Sequence, residues 1–169
     1  MIRLADEFFE TKNDPEQISG TEDVFRRLGR LHPATLSEKK TRNGPVAWIM
    51  VIPTSLEIME DFLTEWLSEK DLLERAAPGT SFEAIYLCSA LVLPEFRRKG
   101  LAAQLTLSAV RSIMRDHPVN SLYYWSFSDA GDALARSVAT KAGLRLLKRG
   151  RRDDHSGDYT AAGITITEH

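Results

Sequence analysis

Between Leu91 and Thr106 the chain reads LVLPEFRRKGLAAQLT, and three of its features converge on one chemistry. An apolar run ends at Pro94, three cations follow at Arg97, Arg98 and Lys99, and Gly100 stands where a helical pattern begins. The first turn of a helix carries backbone N–H groups with no internal partner, and the aligned peptide dipoles favour negative charge there. A glycine lets a phosphate approach that backbone, and the cations add charge at the same point. The turn therefore has the make-up of a pyrophosphate cradle, although a basic tripeptide before a glycine is, taken alone, more often a solvated turn. It is not a Walker A loop, since no Gly-x-x-x-x-Gly-Lys precedes the helix. It is not a dinucleotide fingerprint either, since only one of the three glycines is present.

The elements that must position this turn follow from periodicity and punctuation. Thr21 to Leu31 predicts a helix capped by Thr21 and ended by Pro33, with Val24, Phe25, Leu28 and Leu31 at helical spacing. Thr35–Thr41 and Val46–Ile52 predict strands joined at Asn43-Gly44. Thr54 to Ala76 predicts one long helix with a Thr54/Glu57 capping box and a stripe of Leu56, Met59, Phe62, Leu63, Trp66, Leu67 and Leu73. Ala84–Leu93 is an almost uncharged run, predicted as a strand buried on both faces. Gly100–Arg115 predicts a helix, Leu122–Phe127 a strand, and Asp132–Lys141 a helix stopped at Gly143. Leu144–Lys148 and Ala161–Thr167 predict closing strands around a polar loop, Gly150 to Asp158. The first 20 residues predict a short helix and a loop. The fold class is a mixed α/β domain, a central mixed sheet flanked by helices, with an extra helix near residues 54–76 and strand–helix–strand crossovers in the second half.

The 169 residues are 43% hydrophobic and 27% charged with a formal net charge of -2, which fits one domain spanning 1–169 and points to neither nucleic acid nor an anionic membrane as a partner. One cysteine, Cys88, excludes an intrachain disulfide. With no signal-peptide pattern and no apolar run of roughly 18 residues, the expected location is the cytoplasm.

The turn resembles the coenzyme A-binding motif of the GNAT N-acetyltransferase superfamily, a strand and a proline followed by Arg/Gln-x-x-Gly-x-Gly/Ala at a helix start. Arg97, Gly100 and Ala102 fill the three defining places. A second family segment, a helix ending in Gly-Phe or similar after the next strand, is matched by Asp132 to Leu144. The resemblance covers Phe82 to Lys148 well and the N-terminal half only loosely. It implies acetyl-CoA as co-substrate, with Ala90, Leu91 and Val92 holding the acyl carbonyl and pantetheine arm. It also implies that Arg97, Arg98, Lys99, Gly100, Leu101, Ala102 and Ala103 form the pyrophosphate turn, with Asp132 at the start of the second helix. In this family the two central strands splay, and the thioester lies in the gap; here they would be Ala84–Leu93 and Leu122–Phe127.

The chain departs from the family where protons move. Many relatives start the second helix with Asn and carry, seven residues on, a tyrosine that protonates the leaving thiolate; here these are Asp132 and Ala139. A glutamate used by N-terminal protein acetylases falls at Phe127. Neutralising a lysine-like amine at pH 7 costs about 4.6 kcal/mol and an α-amine about 1, whereas alignment of two substrates supplies roughly 7–11 kcal/mol, so catalysis survives the loss if positioning is intact. Replacement proton carriers are Tyr86, which shares a strand face with Cys88, Ser137 and Tyr124; the commoner role of each is packing or an ordinary helix serine. Tyr123 and Tyr124 point to opposite faces. His32 follows the first helix, a region that lines the acceptor site in the family, with a surface histidine the plainer role. No metal site is expected, since His117, His155 and His169 lack ligand spacing.

Three functions compete. The first is transfer of an acyl group to the amine of a small molecule or peptide; the second is an acyl-CoA sensor without turnover; the third is a partner-binding protein that docks through helix 54–76. A homodimer is compatible with each. The intact cofactor turn favours the first.

Overall fold

The computed structural model of this chain describes Ile18, residues 21–150 and the backbone of 165–167; the expected N-terminal helix and most of the 150–158 loop lie outside the described residues. Helix α1 (Glu22–Leu31) starts where predicted, with the Thr21 side chain accepting from the Val24 N–H, and it buries Leu28 and Leu31. Strands β1 (Leu36–Thr41) and β2 (Gly44–Thr54) form a hairpin. Its two-residue loop is Arg42-Asn43 rather than Asn43-Gly44, because Gly44 pairs with Thr41 as the first strand residue, at φ 115.

The predicted helix from Thr54 to Ala76 is instead two, α2 (Leu56–Leu63) and α3 (Glu69–Arg75). Thr54 does not cap: it ends β2, buried, with its hydroxyl 2.9 Å from the Tyr123 hydroxyl. Ser55 caps α2 instead, accepting from the Ile58 N–H, and Ser68 opens α3 in a capping box with Asp71. Between them the chain makes a Schellman turn. The Trp66 N–H reaches the Asp61 carbonyl (2.9 Å) and the Glu65 N–H the Phe62 carbonyl (3.2 Å), with Glu65 at φ 66. The helical spacing of apolar residues runs across this break, because both helices bury one face on the same sheet, so periodicity alone did not show it. Arg75 ties the two together, donating to Asp61 (2.6 Å) and Glu57 (3.2 Å).

Strand β3 (Ala84–Val92) leads through a 3-10 turn (Pro94–Phe96) to helix α4 (Leu101–Asp116), then β4 (Ser121–Trp125), α5 (Asp129–Ala142), β5 (Arg145–Arg149) and β6 (Thr165–Thr167). Helix α5 begins three residues before the predicted Asp132 because Ser128 is its cap, and it ends at Gly143 (φ 69) as predicted. The six strands lie in sequence order, with β3, β4 and β5 parallel and the remaining pairs antiparallel. Two right-handed crossovers advancing the same way put their helices on the same face. One core accordingly joins Ile49, Val51, Ile85, Leu122, Tyr124 and Leu146 to α4 and α5. On the other face Ile52, Tyr86, Tyr123 and Leu147 pack against α1, α2 and α3, as the two-residue alternation of strands requires.

Glu65 occupies a left-handed position that glycine takes without steric penalty. Glu65→Gly is expected to raise stability by about 0.5–1 kcal/mol, read from the urea midpoint at unchanged slope; a lower midpoint would mean the Glu65 side chain itself holds the turn.

Candidate functional site

Strands β3 and β4 pair over only three positions, Ala84↔Ser121, Ile85↔Leu122 and Tyr86↔Tyr123. Beyond that point β3 stays with β2 as far as Ala47↔Val92, while β4 stays with β5 as far as Trp125↔Arg149. The sheet is thus forked at its centre. The register between β2 and β3 slips from Met50↔Ser89 to Val51↔Leu87, which leaves Cys88 as the extra residue of a bulge just past the fork; a bulge bends and twists its strand. Burial follows this geometry: Ala84 to Tyr86 are buried, Leu87 to Ser89 half-buried and Ala90 exposed. The free edge of β3 from Leu87 to Val92 turns unpaired backbone groups into the fork.

Where β3 ends, the chain reaches the basic turn. The Arg97 guanidinium Nε donates back to the Val92 carbonyl at 3.0 Å. Arg98 (φ 60) and Gly100 (φ 72) both adopt left-handed backbone. A Cβ on Gly100 would meet only Gln104 Nε2, at 3.7 Å, so the protein's own need for glycine here lies in φ rather than in space. The first backbone bond into α4 is Gln104 N–H to Gly100 C=O at 3.0 Å, and among the described residues the amides of Arg98 to Ala103 have no acceptor. Alternating hand in successive residues gathers such N–H groups into an anion-binding concavity, and a non-glycine residue at positive φ is a strain that clusters at functional sites. Lys99 lies over the Phe96 ring, 5.0 Å from its centroid.

The face of the fork toward α2 and α3 holds a polar cluster that no spacing in the sequence announced. The Tyr86 phenol, its ring wholly buried, donates to Glu69. Glu69, expected from its place beside the apolar stripe to be exposed, is buried: the Ser68 cap makes it the first residue of α3, where the helix dipole stabilises a carboxylate. Burial, and then the charge of Glu69, push the Tyr86 phenol well above its ordinary pKa. The same two causes raise the Cys88 thiol, which keeps it protonated and unsuited to be a nucleophile. The Arg149 guanidinium is sandwiched between the rings of Phe62 (4.4 Å) and Trp125 (4.6 Å) and donates to the Leu67 carbonyl at 3.0 Å. The alternation Leu147, Arg149 was the available sign that Arg149 points inward.

On the opposite face Asp132 accepts from Ser126 and, at 2.8 Å, from the Lys148 ammonium. Burial acts to raise its carboxyl pKa, but the hydrogen bonds from Lys148 and Ser126 outweigh it and the net shift is downward. Tyr124, the first β4 residue past the fork, is pushed up to about 12 by burial and then by the charge of Asp132. Ser137 lies two residues from both Ala135 and Ala139 of the inward face of α5, hence on its outer side, and Ala139 is core. His32 is neither a surface residue nor near the fork. It is buried, with Nε2 2.8 Å from Asp116 and Nδ1 accepting from the Ala34 N–H at 3.0 Å, at the far end of α4, about 24 Å of helix away from Gly100. Thus the fork brings together the basic turn, Tyr86, Tyr124 and Asp132, and leaves out Ser137 and His32. No model of a known protein family and no curated protein matches the chain.

Because the folded-state pKa of Asp132 is depressed, its contribution to stability is present above the ordinary carboxylate pKa of about 4 and is lost as the pH falls through the lower folded value. Asp132→Asn is therefore expected to lower the melting temperature at pH 7 and to differ little from the parent near pH 2–3; an equal loss at both pH values would assign the effect to shape rather than charge.

Proposed function

We propose that this chain is an acyl-CoA-dependent N-acyltransferase. The observation that carries the reading is that one strand bears both halves of the site: β3 leaves β4 after Tyr86 and ends at Val92, where the amide-lined turn begins. Bound acyl-CoA would supply an activated thioester. Backbone groups of Arg98 to Ala103 would hold its diphosphate, with Arg97, Arg98 and Lys99 adding charge. The free edge of Ala90, Leu91 and Val92 would hold the pantetheine amides by strand-like hydrogen bonds. The Asp132 carboxylate, neutralised by Lys148, leaves little net charge to oppose an anion nearby. The resemblance to the GNAT superfamily in Arg97, Gly100 and Ala102 points the same way, with acetyl the simplest acyl group and an amine the acceptor.

Among the candidate proton carriers, Tyr86 already donates to Glu69 inside a sealed ring cluster. Tyr124 stands at the fork, and with a pKa of about 12 its phenol is a donor rather than a base at neutral pH. We assign it the proton given to the departing thiolate. Tyr124→Phe is expected to lower kcat about 10²-fold with acetyl-CoA affinity unchanged; an unaltered kcat removes Tyr124 from the mechanism. The second reading, an acyl-CoA binder without turnover, is favoured by one observation, that the place of the usual tyrosine is core residue Ala139. Binding with no transfer to any of a broad panel of amines would establish it.

The cofactor assignment is tested by a charge-matched pair. Asn and Asp both tolerate the left-handed backbone that Gly100 adopts. Gly100→Asn is expected to bind acetyl-CoA within a few-fold of the parent in calorimetry. Gly100→Asp sets a like charge against the diphosphate and is expected to bind about 100-fold more weakly. Equal affinities for the two variants would put the diphosphate elsewhere.

A further inference from the structure

Among the described residues two large apolar side chains stand exposed, Trp66 (82%) and Phe127 (58%). Both belong to the same end of the sheet. Phe127 follows β4 by two residues and packs on Trp125, ring centroids 4.7 Å apart. Trp66 precedes Leu67, whose carbonyl is gripped by Arg149, and the Arg149 guanidinium lies flat between Phe62 and Trp125. A continuous stack therefore runs from Phe62 through Arg149 and Trp125 to Phe127, with Trp66 fixed beside it.

Trp66 is not exposed through looseness. It is the residue that follows the left-handed Glu65 in a Schellman turn, held by its N–H on Asp61 at 2.9 Å. An apolar side chain at that place ordinarily folds back on the last turn of its own helix, and here it does not. The indole is presented outward on a hydrogen-bonded turn whose sequence accepts Glu65 at positive φ. The neighbouring segment is anchored twice at the fork, by Arg149 on Leu67 and by Tyr86 on Glu69.

We infer that Trp66 and Phe127 form the rim of the acceptor subsite, and that the acceptor is a small primary amine with an aromatic body. This rests on the acyltransferase reading, because the rim borders the face of the fork opposite α4 and α5, with Trp125 and Tyr86 on that face. Rings held at fixed angles favour a flat apolar group by offset or edge contacts. The Arg149 guanidinium at the inner end of the stack places a positive charge where an acceptor carrying a second ammonium would meet it. The surface thereby selects for one amine on an aromatic frame and against polyamines. In the reaction the amine, once it has lost a proton to solvent, forms the new C–N bond at the acyl carbon as the C–S bond breaks, and the thiolate takes up a proton.

The test compares 2-phenylethylamine with putrescine. In the parent, kcat/KM is expected to favour 2-phenylethylamine by at least about tenfold. Trp66→Ala and Phe127→Ala should each raise its KM about tenfold, with kcat nearly constant, the kinetics of putrescine unmoved and Trp66→Phe restoring most of the loss. A titration of 2-phenylethylamine in the presence of coenzyme A, followed by tryptophan fluorescence, requires no turnover. Saturable binding weakened by Phe127→Ala supports the subsite even in a chain that transfers no acyl group, an outcome that would instead overturn the acyltransferase reading. Absence of aromatic preference, or an unchanged KM in both alanine variants, overturns the inference. So does a parent that sediments as a dimer and a Trp66→Ala variant that sediments as a monomer, since the rings would then be a subunit contact.

Discussion

A backbone N–H or C=O withdrawn from water without a partner costs about 1–3 kcal/mol, so a sheet that opens at its centre must dispose of the groups it unpairs. Here β3 and β4 share three pairs and then diverge. Each solves half of the difficulty by keeping its outer neighbour, β2 or β5. The inner edges are left to face the fork. The bulge at Cys88 turns β3 away, and the strand grows steadily more exposed toward Ala90. The elements around the fork are consequences of that divergence: the turn at the end of β3, the start of α5 past the end of β4, and the two short helices that roof the other face.

The two faces of the fork are electrostatically different. Toward α4 and α5 lie exposed cations, unpaired amides and a carboxylate already neutralised by Lys148, an environment suited to a polyanion. Toward α2 and α3 the polar groups are buried among rings: Glu69 under the Tyr86 phenol, Tyr123 on Thr54, and Arg149 between Phe62 and Trp125. Polar groups held this way stiffen their surroundings, because removing either member leaves the other in a medium of low dielectric. A rigid apolar face opposite a basic one is the arrangement expected of a site that grips a charged carrier on one side and orients a smaller molecule on the other. Among the described residues no helix is long and apolar enough to cross a membrane.

The parts of this arrangement that were legible in the sequence are those set by local rules. Thr21 caps α1, Gly100 and Gly143 begin and end helices at positive φ, and the alternation in β3 to β5 sorts residues onto two faces. The helical insert between β2 and β3 was readable as helix, but its break was not, because Ile58, Met59 and Phe62 in α2 and Leu72 and Leu73 in α3 bury against the same sheet and keep one period across Glu65. The signal that was there, Ser68 three residues before Asp71, competes with an apolar stripe that runs over it. Glu69 and Arg149 were out of reach for another reason. Each is a charged residue whose burial depends on partners distant in the chain, Tyr86 and Leu67, and local pattern carries no information about either.

The central claim is that the turn after β3 holds the diphosphate of an acyl-CoA lying in the fork. Backbone amide NMR of the parent chain, titrated with coenzyme A, reads it residue by residue. The account predicts the largest amide shifts and slowed hydrogen exchange at Arg98 to Ala103, with smaller shifts along Leu87 to Val92 and near Ser126 and Asp132. Saturable shifts confined to other elements, such as the groove between α1 and α3 lined by Arg26, Arg30 and Lys70, with the Arg98 to Ala103 amides unmoved, would contradict it.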